Sequence, residues 1–476
     1  MHPLARKDHR YVWHPFTQMQ DWVKEEPIVI TSGKGAVLRD QYGRKYLDAN
    51  SSIWTNLHGH QNPTIDRAIK SQLKKIGHSS ALGFANEPAS LLAEKLVKTA
   101  NPSKLFRKGP LEFKNPKLKK VFFSDDGSTA LEAAFKLAYE HARRKEIGTK
   151  PKFLSIENAY HGDTIGAISV GQVDLFHKSF SGLLFPSDKV MSPYCYRCPF
   201  NKAKPDRADA RTTRKCQWEC VGKVQQKFEQ AHKKNLSYAG FVFEPIIQGV
   251  AGMVCHPEGW LKRVASLARE IKTPLIADEV MTGFGRTGSM FASHYEGVQP
   301  DFLCLAKGMT GGYLPMAATL TTQDVFDSFL GPYESFKSFF HGHSYTGNQL
   351  GASAALANID LLKQKKNRSA RKTLEKQLKQ SLQPLWNLPC VGDIRQSGLV
   401  AGIELVQDWR TKKPWPMAKQ VGIQVCLELA NLGILTRPIG SVIVLMPPYC
   451  CTEGQIRKMT TSLYIAIKKV LGNAEV

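Results

Sequence analysis

Lys307 directly follows the apolar run Asp301-Phe-Leu-Cys-Leu-Ala306 and precedes Gly308. An ammonium at the end of a buried strand is costly to desolvate, so its pKa falls and the amine becomes a usable nucleophile. Upstream, Pro274-Leu-Ile-Ala-Asp278 ends in an acid pair, Asp278-Glu279, and leads into the glycine-rich Thr282-Gly-Phe-Gly-Arg-Thr-Gly288. Such a pair can hold a metal ion in a nucleotide site, but the chain has no GxxxxGK[ST] to accompany it. The other use is one carboxylate hydrogen-bonded to a protonated heterocyclic nitrogen. A third segment, Asp125-Asp-Gly-Ser-Thr-Ala-Leu-Glu132, reads as strand, glycine turn and helix. Unpaired N–H groups at a helix start make a phosphate cradle, although Asp126 or Ser128 also suits an ordinary N-cap.

Taken singly, each segment has a structural alternative; Lys307, for one, can snorkel out of a strand end. In the order cradle, acid, lysine they meet one chemistry. Pyridoxal phosphate requires a Schiff-base lysine, an acid for its pyridine nitrogen and an anion site for its phosphate.

The surrounding elements have to bring these residues together. Short apolar runs at Lys120–Ser124, Lys152–Ile156, Gly240–Glu244, Pro274–Asp278 and Asp301–Ala306 alternate with helical stretches such as Ser128–Lys145 and Leu261–Lys272. That alternation predicts an α/β fold with a mainly parallel sheet flanked by helices, which binds ligands at the carboxyl ends of its strands. Gly127, Asp278 and Lys307 fall at such ends. The expected organisation is an N-terminal segment over 1–60, a large domain over 61–355 and a small α+β domain over 356–476. The first segment packs with the last. Residues 194–221 read as a surface insertion.

The 476 residues are 42% apolar and 22% charged, ordinary for a globular chain. No stretch of about 18 apolar residues exists, and Met1–Trp13 lacks the apolar core of a secretion signal. The expectation is a cytoplasmic enzyme without membrane contact. The formal net charge is +24. The excess lies in Lys98–Lys120, Lys202–Lys234 and Lys363–Lys379, which read as solvated surface. No nucleic-acid motif accompanies it, so no specific nucleic-acid partner is expected. Of ten cysteines, four form a CxxC, Cys195 and Cys198, and a CxxxC, Cys216 and Cys220. Four thiolates at that spacing can close a structural zinc site, or they are free thiols in a reducing compartment. Neither reading supplies a catalytic metal.

The run Ile276–Gly288, with Pro300-Asp301 through Lys307-Gly308, resembles the signature of the class III aminotransferases of the fold type I pyridoxal-phosphate superfamily. The likeness extends from about Trp13 to Tyr449. It implies a seven-stranded, mainly parallel sheet in the large domain and a smaller α+β domain built from both termini. Within the family, Trp13-His-Pro-Phe-Thr-Gln-Met19, Ser51-Ser-Ile-Trp54, Tyr160-His-Gly-Asp163, Phe340–Asn348 and Leu435-Thr-Arg-Pro438 resemble the branch that serves biotin synthesis. That implies ping-pong amination of 8-amino-7-oxononanoate to 7,8-diaminononanoate; enzymes acting on 4-aminobutyrate or ornithine are the alternative within the family.

Carried over residue by residue, the resemblance makes Lys307 the Schiff-base lysine and Asp278 the pyridine partner. Gly127 and Ser128 hold the phosphate. Tyr160 stacks on the ring with His161 beside it, and Glu244 is a supporting acid. Ser344 reaches the neighbouring subunit's phosphate, which implies a homodimer with a composite site. Arg437 clamps a substrate carboxylate, and Phe16 and Trp54 line the channel. The implied amino donor is S-adenosylmethionine or lysine. Adenosylmethionine users carry two adjacent tryptophans at Ile53-Trp54, Tyr at Phe16 and Pro-Thr at His343-Ser344, so those positions incline toward lysine.

Overall fold

The computed structural model describes residues 1–106, 113–145, 151–171, 173–234 and 236–472. Arg107, Lys108 and Glu112 of the first basic stretch lie outside them. Near the N-terminus β1 (Ile30–Lys34), β2 (Val37–Asp40) and β3 (Lys45–Asp48) form an antiparallel meander. The large sheet takes β4 (Leu118–Ser124), β5 (Lys152–Ile156), β6 (Asp188–Val190) and β7 (Tyr238–Phe243). A two-stranded ribbon follows, β8 (Ile247–Gln248) with β9 (Val254–Cys255). Then come β10 (Leu275–Asp278), β11 (Phe302–Leu305) and β12 (Ala317–Thr322).

The seven strands of the large sheet run in the order β4-β12-β11-β10-β7-β5-β6. All are parallel except β12, which is antiparallel to both β11 and β4. The short β6 and the Ala/Thr-rich β12 give little apolar contrast, which is why the sequence pattern passes over them. In the centre of the sheet every residue of β7, β10 and β11 is buried, as expected for a sheet covered on both faces. Alternate side chains serve different layers. Val242, Ile276, Phe302 and Cys304 pack under the helix Gly127–Arg144. Phe241, Phe243, Leu275, Ala277, Leu303 and Leu305 pack against the helices Glu219–Lys233 and Trp260–Glu270. The central register sets Ala277 beside Phe243 and Asp278 beside Cys304, so three carboxyl ends open at one level.

Toward the C-terminus β13 (Val391–Ser397), β14 (Val400–Asp408) and the short β15 (Lys413–Pro414) precede β16 (Ile434–Leu435), β17 (Pro438–Ile439) and β18 (Val442–Leu445). The sheet order is β13-β14-β18-β17, with β15 on β14. β16 leaves this sheet and pairs in parallel with β3, Leu47 beside Ile434 and Asp48 beside Leu435. Both ends of the chain thus share one sheet.

Residues 194–221 differ from a loop riding on the surface. Glu404, on β14, accepts from Arg197 Nε at 2.7 Å and from Arg395 at 2.7 Å, and the Tyr194 hydroxyl donates to it. Arg211 donates to Gln396 O at 2.8 Å. Part of the positive charge in this stretch is therefore paired with the C-terminal sheet. Cys195, Cys198, Cys216 and Cys220 gather around one small cavity, where Arg214 Nη1 donates to Cys216 Sγ at 3.2 Å. All four are free thiols, and among the described residues no group of three or more His, Cys, Asp or Glu side chains is arranged to hold a metal ion. Among the described residues no helix is long and apolar enough to cross a membrane.

Candidate active site

The carboxyl ends of β7, β10 and β11 and the start of the helix Gly127–Arg144 open into a cavity of about 450 Å³. Asp278, the last residue of β10, places Oδ2 2.8 Å from His161 Nδ1 and accepts from Val280 N with Oδ1 at 3.0 Å. Glu244 follows β7. It accepts from Gly249 N at 2.7 Å and Tyr160 N at 3.3 Å. Lys307 follows β11 with φ +39°, a strained value for a lysine that turns its side chain into the cavity. Its Nζ lies 4.8 Å from the centre of the Trp54 ring.

The helix start is well defined. Asp126 and Thr129 form a reciprocal capping box, so Asp126, not Ser128, is the N-cap. Ser128 is left free to face the cavity, where its Oγ accepts from Asp163 N at 3.2 Å. Gly162, at φ +118°, makes room for it; a Cβ there would overlap Ser128 Oγ. The Tyr160 hydroxyl donates to Asp163 Oδ2 at 2.7 Å, which fixes the Tyr160 ring at the cavity edge.

Burial sets the electrostatics. It lowers the Lys307 pKa, against the opposing pull of Asp278 and Glu244. Burial, reinforced by Asp278, pushes Glu244 from its ordinary 4.5 to about 8. Between those values the folded protein holds a proton that the unfolded chain has released. Stability therefore falls as pH rises from about 5 through 8. Glu244→Gln should remove this dependence. We expect the cofactor-free variant to melt about 3 °C above the parent at pH 8, with the gap closing toward pH 5. Thermal melts at four pH values check it; a gap independent of pH would contradict it.

The arrangement fits pyridoxal phosphate. Lys307 is half-buried at the cavity, and its Nζ makes no hydrogen bond or ion pair among the described residues, the condition of an amine awaiting a covalent partner. Asp278 is buried, oriented by His161, and faces the same cavity. The first turn of an 18-residue helix supplies N–H donors and the Ser128 hydroxyl for a phosphate.

The cavity thus gathers Gly127, Ser128, Tyr160, His161, Glu244, Asp278, Lys307 and Trp54. Three other expected residues lie off it. Phe16 is exposed and packs edge-on against Phe176 at 5.3 Å. Arg437, exposed between β16 and β17, is not part of the lining. Ser344 is exposed, its carbonyl 2.9 Å from His78 Nε2.

Sequence reasoning gave Asp278 its role and left Glu279 without one, which the structure supplies. Glu279 turns away from the cavity and accepts from Ala292 N, Ser293 N and Ser293 Oγ at 2.5, 2.9 and 2.7 Å. Consecutive residues leaving a strand face opposite ways, a signal present in the sequence. Glu132 has no such signal. It accepts from Thr164 Oγ1 at 2.6 Å and Gly166 N at 2.8 Å, holding the loop that follows Tyr160.

Comparison with known proteins agrees with this geometry. The chain is 43% identical over 465 residues to the adenosylmethionine-8-amino-7-oxononanoate aminotransferase of Geobacter sulfurreducens, covering 98% of this chain and 97% of that one. The crystal structure of the enzyme of the same name from Methanocaldococcus jannaschii superposes with a TM-score of 0.87 at 40% identity, covering 98% of each chain. A PLP-bound amine transaminase from an uncultivated Pseudomonas species gives a TM-score of 0.85 at 30% identity, covering 96% of this chain and 98% of that one. The family model described as aminotransferase class-III matches residues 18–467. The chain belongs to the class-III aminotransferases.

Proposed function

We propose that this protein uses pyridoxal 5′-phosphate to aminate 8-amino-7-oxononanoate, giving 7,8-diaminononanoate for biotin synthesis. The observation that carries the reading is the 43% identity, over nearly the whole chain, to a relative named for that substrate, in a chain whose cavity joins an unpaired lysine amine, a buried acid and a helix start. Bound, the cofactor supplies an aldehyde that condenses with amines and a ring that withdraws electrons from the adjacent carbon. Lys307 Nζ would hold the cofactor and, when free, would move a proton at the donor carbon. Asp278, steadied by His161, keeps a proton on the ring nitrogen. Tyr160 covers the ring face, and Ser128 with Gly127 anchors the phosphate. Trp54 flanks the substrate chain at the cavity wall; Arg437 and Phe16 lie off that wall and would meet the substrate only beyond it, Arg437 as a bidentate partner of its carboxylate.

The amino donor read from the relatives' names is S-adenosylmethionine. Lysine is the second reading, favoured by Phe16, Ile53-Trp54 and His343-Ser344 at the positions that mark adenosylmethionine users. A half-reaction separates them: add each donor to the cofactor-loaded protein and follow the visible spectrum as the amino group moves to the cofactor. Conversion by one compound names it. Conversion by neither, in a protein that binds cofactor, overturns the substrate reading and leaves another ω-amino acid aminotransferase.

The working unit is a homodimer in the cytoplasm, where ten free cysteines stay reduced. Ser344 lies off its own cavity, with its carbonyl 2.9 Å from His78 Nε2 and the exposed Tyr345 next to it, its ring against His78, an exposed apolar position that suits a second copy. Ser344 then serves the phosphate bound by the other protomer. Ser344→Ala should weaken cofactor binding about tenfold, the value of one lost charge-assisted hydrogen bond, with the sedimentation coefficient unchanged. Unaltered cofactor affinity in a spectrophotometric titration would remove Ser344 from the site.

A further inference from the structure

Trp54 reaches the cavity from an unusual stretch of backbone. Ser51, Ser52, Ile53 and Trp54 have φ of +47°, +47°, +62° and +67°. Ser52 and Ile53, with ψ of 57° and 55°, sit at the centre of the left-handed region. Trp54 N donates to Asn50 O at 2.8 Å and Thr55 N to Ser51 O at 2.9 Å, the spacing of one helical turn. Residues 51–54 are therefore a turn of left-handed helix, without a glycine in it. In such a turn each Cβ crowds the next carbonyl, so non-glycine residues visit this region singly, not in runs. A run persists only where its surroundings impose it.

The restraints are visible. Asp48, 2% exposed at the end of β3, accepts from Ser52 N at 2.9 Å and from Ser52 Oγ at 2.8 Å. Asp48 Oδ2 is also 3.3 Å from His60 Nε2. Burial alone would raise the Asp48 pKa, but His60 and Ser52 outweigh it and hold the group ionised. Ser51 Oγ donates to Met446 O at 2.6 Å. The loop after Lys307 presses on the far end, where a Cβ on Gly312 would meet Asn56 N and Cα at 2.7 Å. The product of these restraints is the Trp54 side chain. Its ring stands over Lys307 Nζ, and its buried Nε1 has no hydrogen-bond partner in the protein. Trp54 lines the cavity, and an indole donor left unpaired there calls for an oxygen on the ligand. β3 also pairs with β16, and Ala49 N donates to Leu435 O at 2.9 Å, two residues before Arg437.

We propose that Asp48 is a positioning residue for substrate: through Ser52 it holds residues 51–54 in a left-handed turn that sets the Trp54 ring as a cavity wall and its N–H as a donor to a substrate carbonyl or carboxylate. The proposal rests on the aminotransferase reading for its ligand, but not for the turn itself. Four variants test it: Asp48→Asn, Ile53→Gly, the double variant, and Trp54→Phe. Asp48→Asn should raise the KM for the keto substrate about tenfold with kcat within about twofold, the pattern of lost positioning. Trp54→Phe, lacking the N–H, should raise KM by about fivefold. Glycine at 53 takes the left-handed conformation without a Cβ penalty. Ile53→Gly should therefore keep KM and melt about 2 °C higher. In the double variant it should restore KM to within about threefold of the parent.

Melting of the cofactor-free proteins gives a readout independent of any substrate. The drop caused by Asp48→Asn should be smaller in the Ile53→Gly background, since both act on one turn. Additive melting shifts, or a raised KM that Ile53→Gly does not restore, would overturn the proposal. Coupled melting shifts in a protein that aminates no keto acid would uphold the turn and overturn the substrate reading instead.

Discussion

Lys307→Ala is expected to lower turnover by about five orders of magnitude or more, since it removes both the covalent anchor and the proton-moving amine. The size follows from the surroundings of the side chain. Among the described residues the cavity lining has no second lysine, and the other basic group near the reacting centre, His161, is committed to Asp278 at 2.8 Å. The variant should also lose the long-wavelength absorbance of a lysine-bound cofactor. Stability should not suffer. The Lys307 pKa is lowered by desolvation, so its removal relieves a desolvated amine and leaves no partner orphaned. A melting temperature at or above that of the parent, with activity gone, is the expected pair. Retention of more than about 1% of parental activity would contradict the assignment, because no other group in the cavity can substitute for the amine.

Asp278→Asn is expected to lower kcat about a thousandfold while the protein still binds cofactor. Asparagine keeps the shape and can still accept from Val280 N, the 3.0 Å bond that fixes the parent carboxylate. What it lacks is the negative charge that keeps a proton on the ring nitrogen, and with it most of the electron withdrawal on which the proton transfer depends. Glu279→Gln is the built-in control. Its carboxylate is raised to about 7 by burial and serves Ala292 and Ser293, outside the cavity. It should change melting temperature and leave kcat within about threefold. If the two neighbours had equal effects on kcat, the division of the acid pair would be wrong.

Much of this site was legible before the fold. Lys307, Asp278 and Gly127-Ser128 declare themselves because a lysine or an acid ending an apolar run, or a glycine turn between strand and helix, has few other uses. The central strands were legible for a related reason: strands buried on both faces read as continuous apolar runs. β6 and β12 were not, being too short or too rich in Ala and Thr to stand out. The positions of Phe16 and Arg437 off the cavity were also beyond sequence reasoning, since exposure depends on how distant segments pack; Ser344 was expected at the neighbouring subunit's site, not at its own. The left-handed turn at 51–54 was hidden for the opposite reason. Ser-Ser-Ile-Trp has no residue that favours the conformation, which is imposed by Asp48, Met446 and the loop at Gly312. The contacts of residues 194–221 with the C-terminal sheet depend likewise on partners some two hundred positions away, such as Glu404.

The central claim concerns the acceptor. Its most direct test is steady-state turnover of the purified, cofactor-loaded protein with 8-amino-7-oxononanoate and either S-adenosylmethionine or lysine, the product identified by mass spectrometry. The account predicts 7,8-diaminononanoate with one of the two donors, and none from the Lys307→Ala protein. A protein that binds the cofactor and aminates 4-aminobutyrate- or ornithine-derived semialdehydes, but leaves 8-amino-7-oxononanoate unchanged, would contradict it.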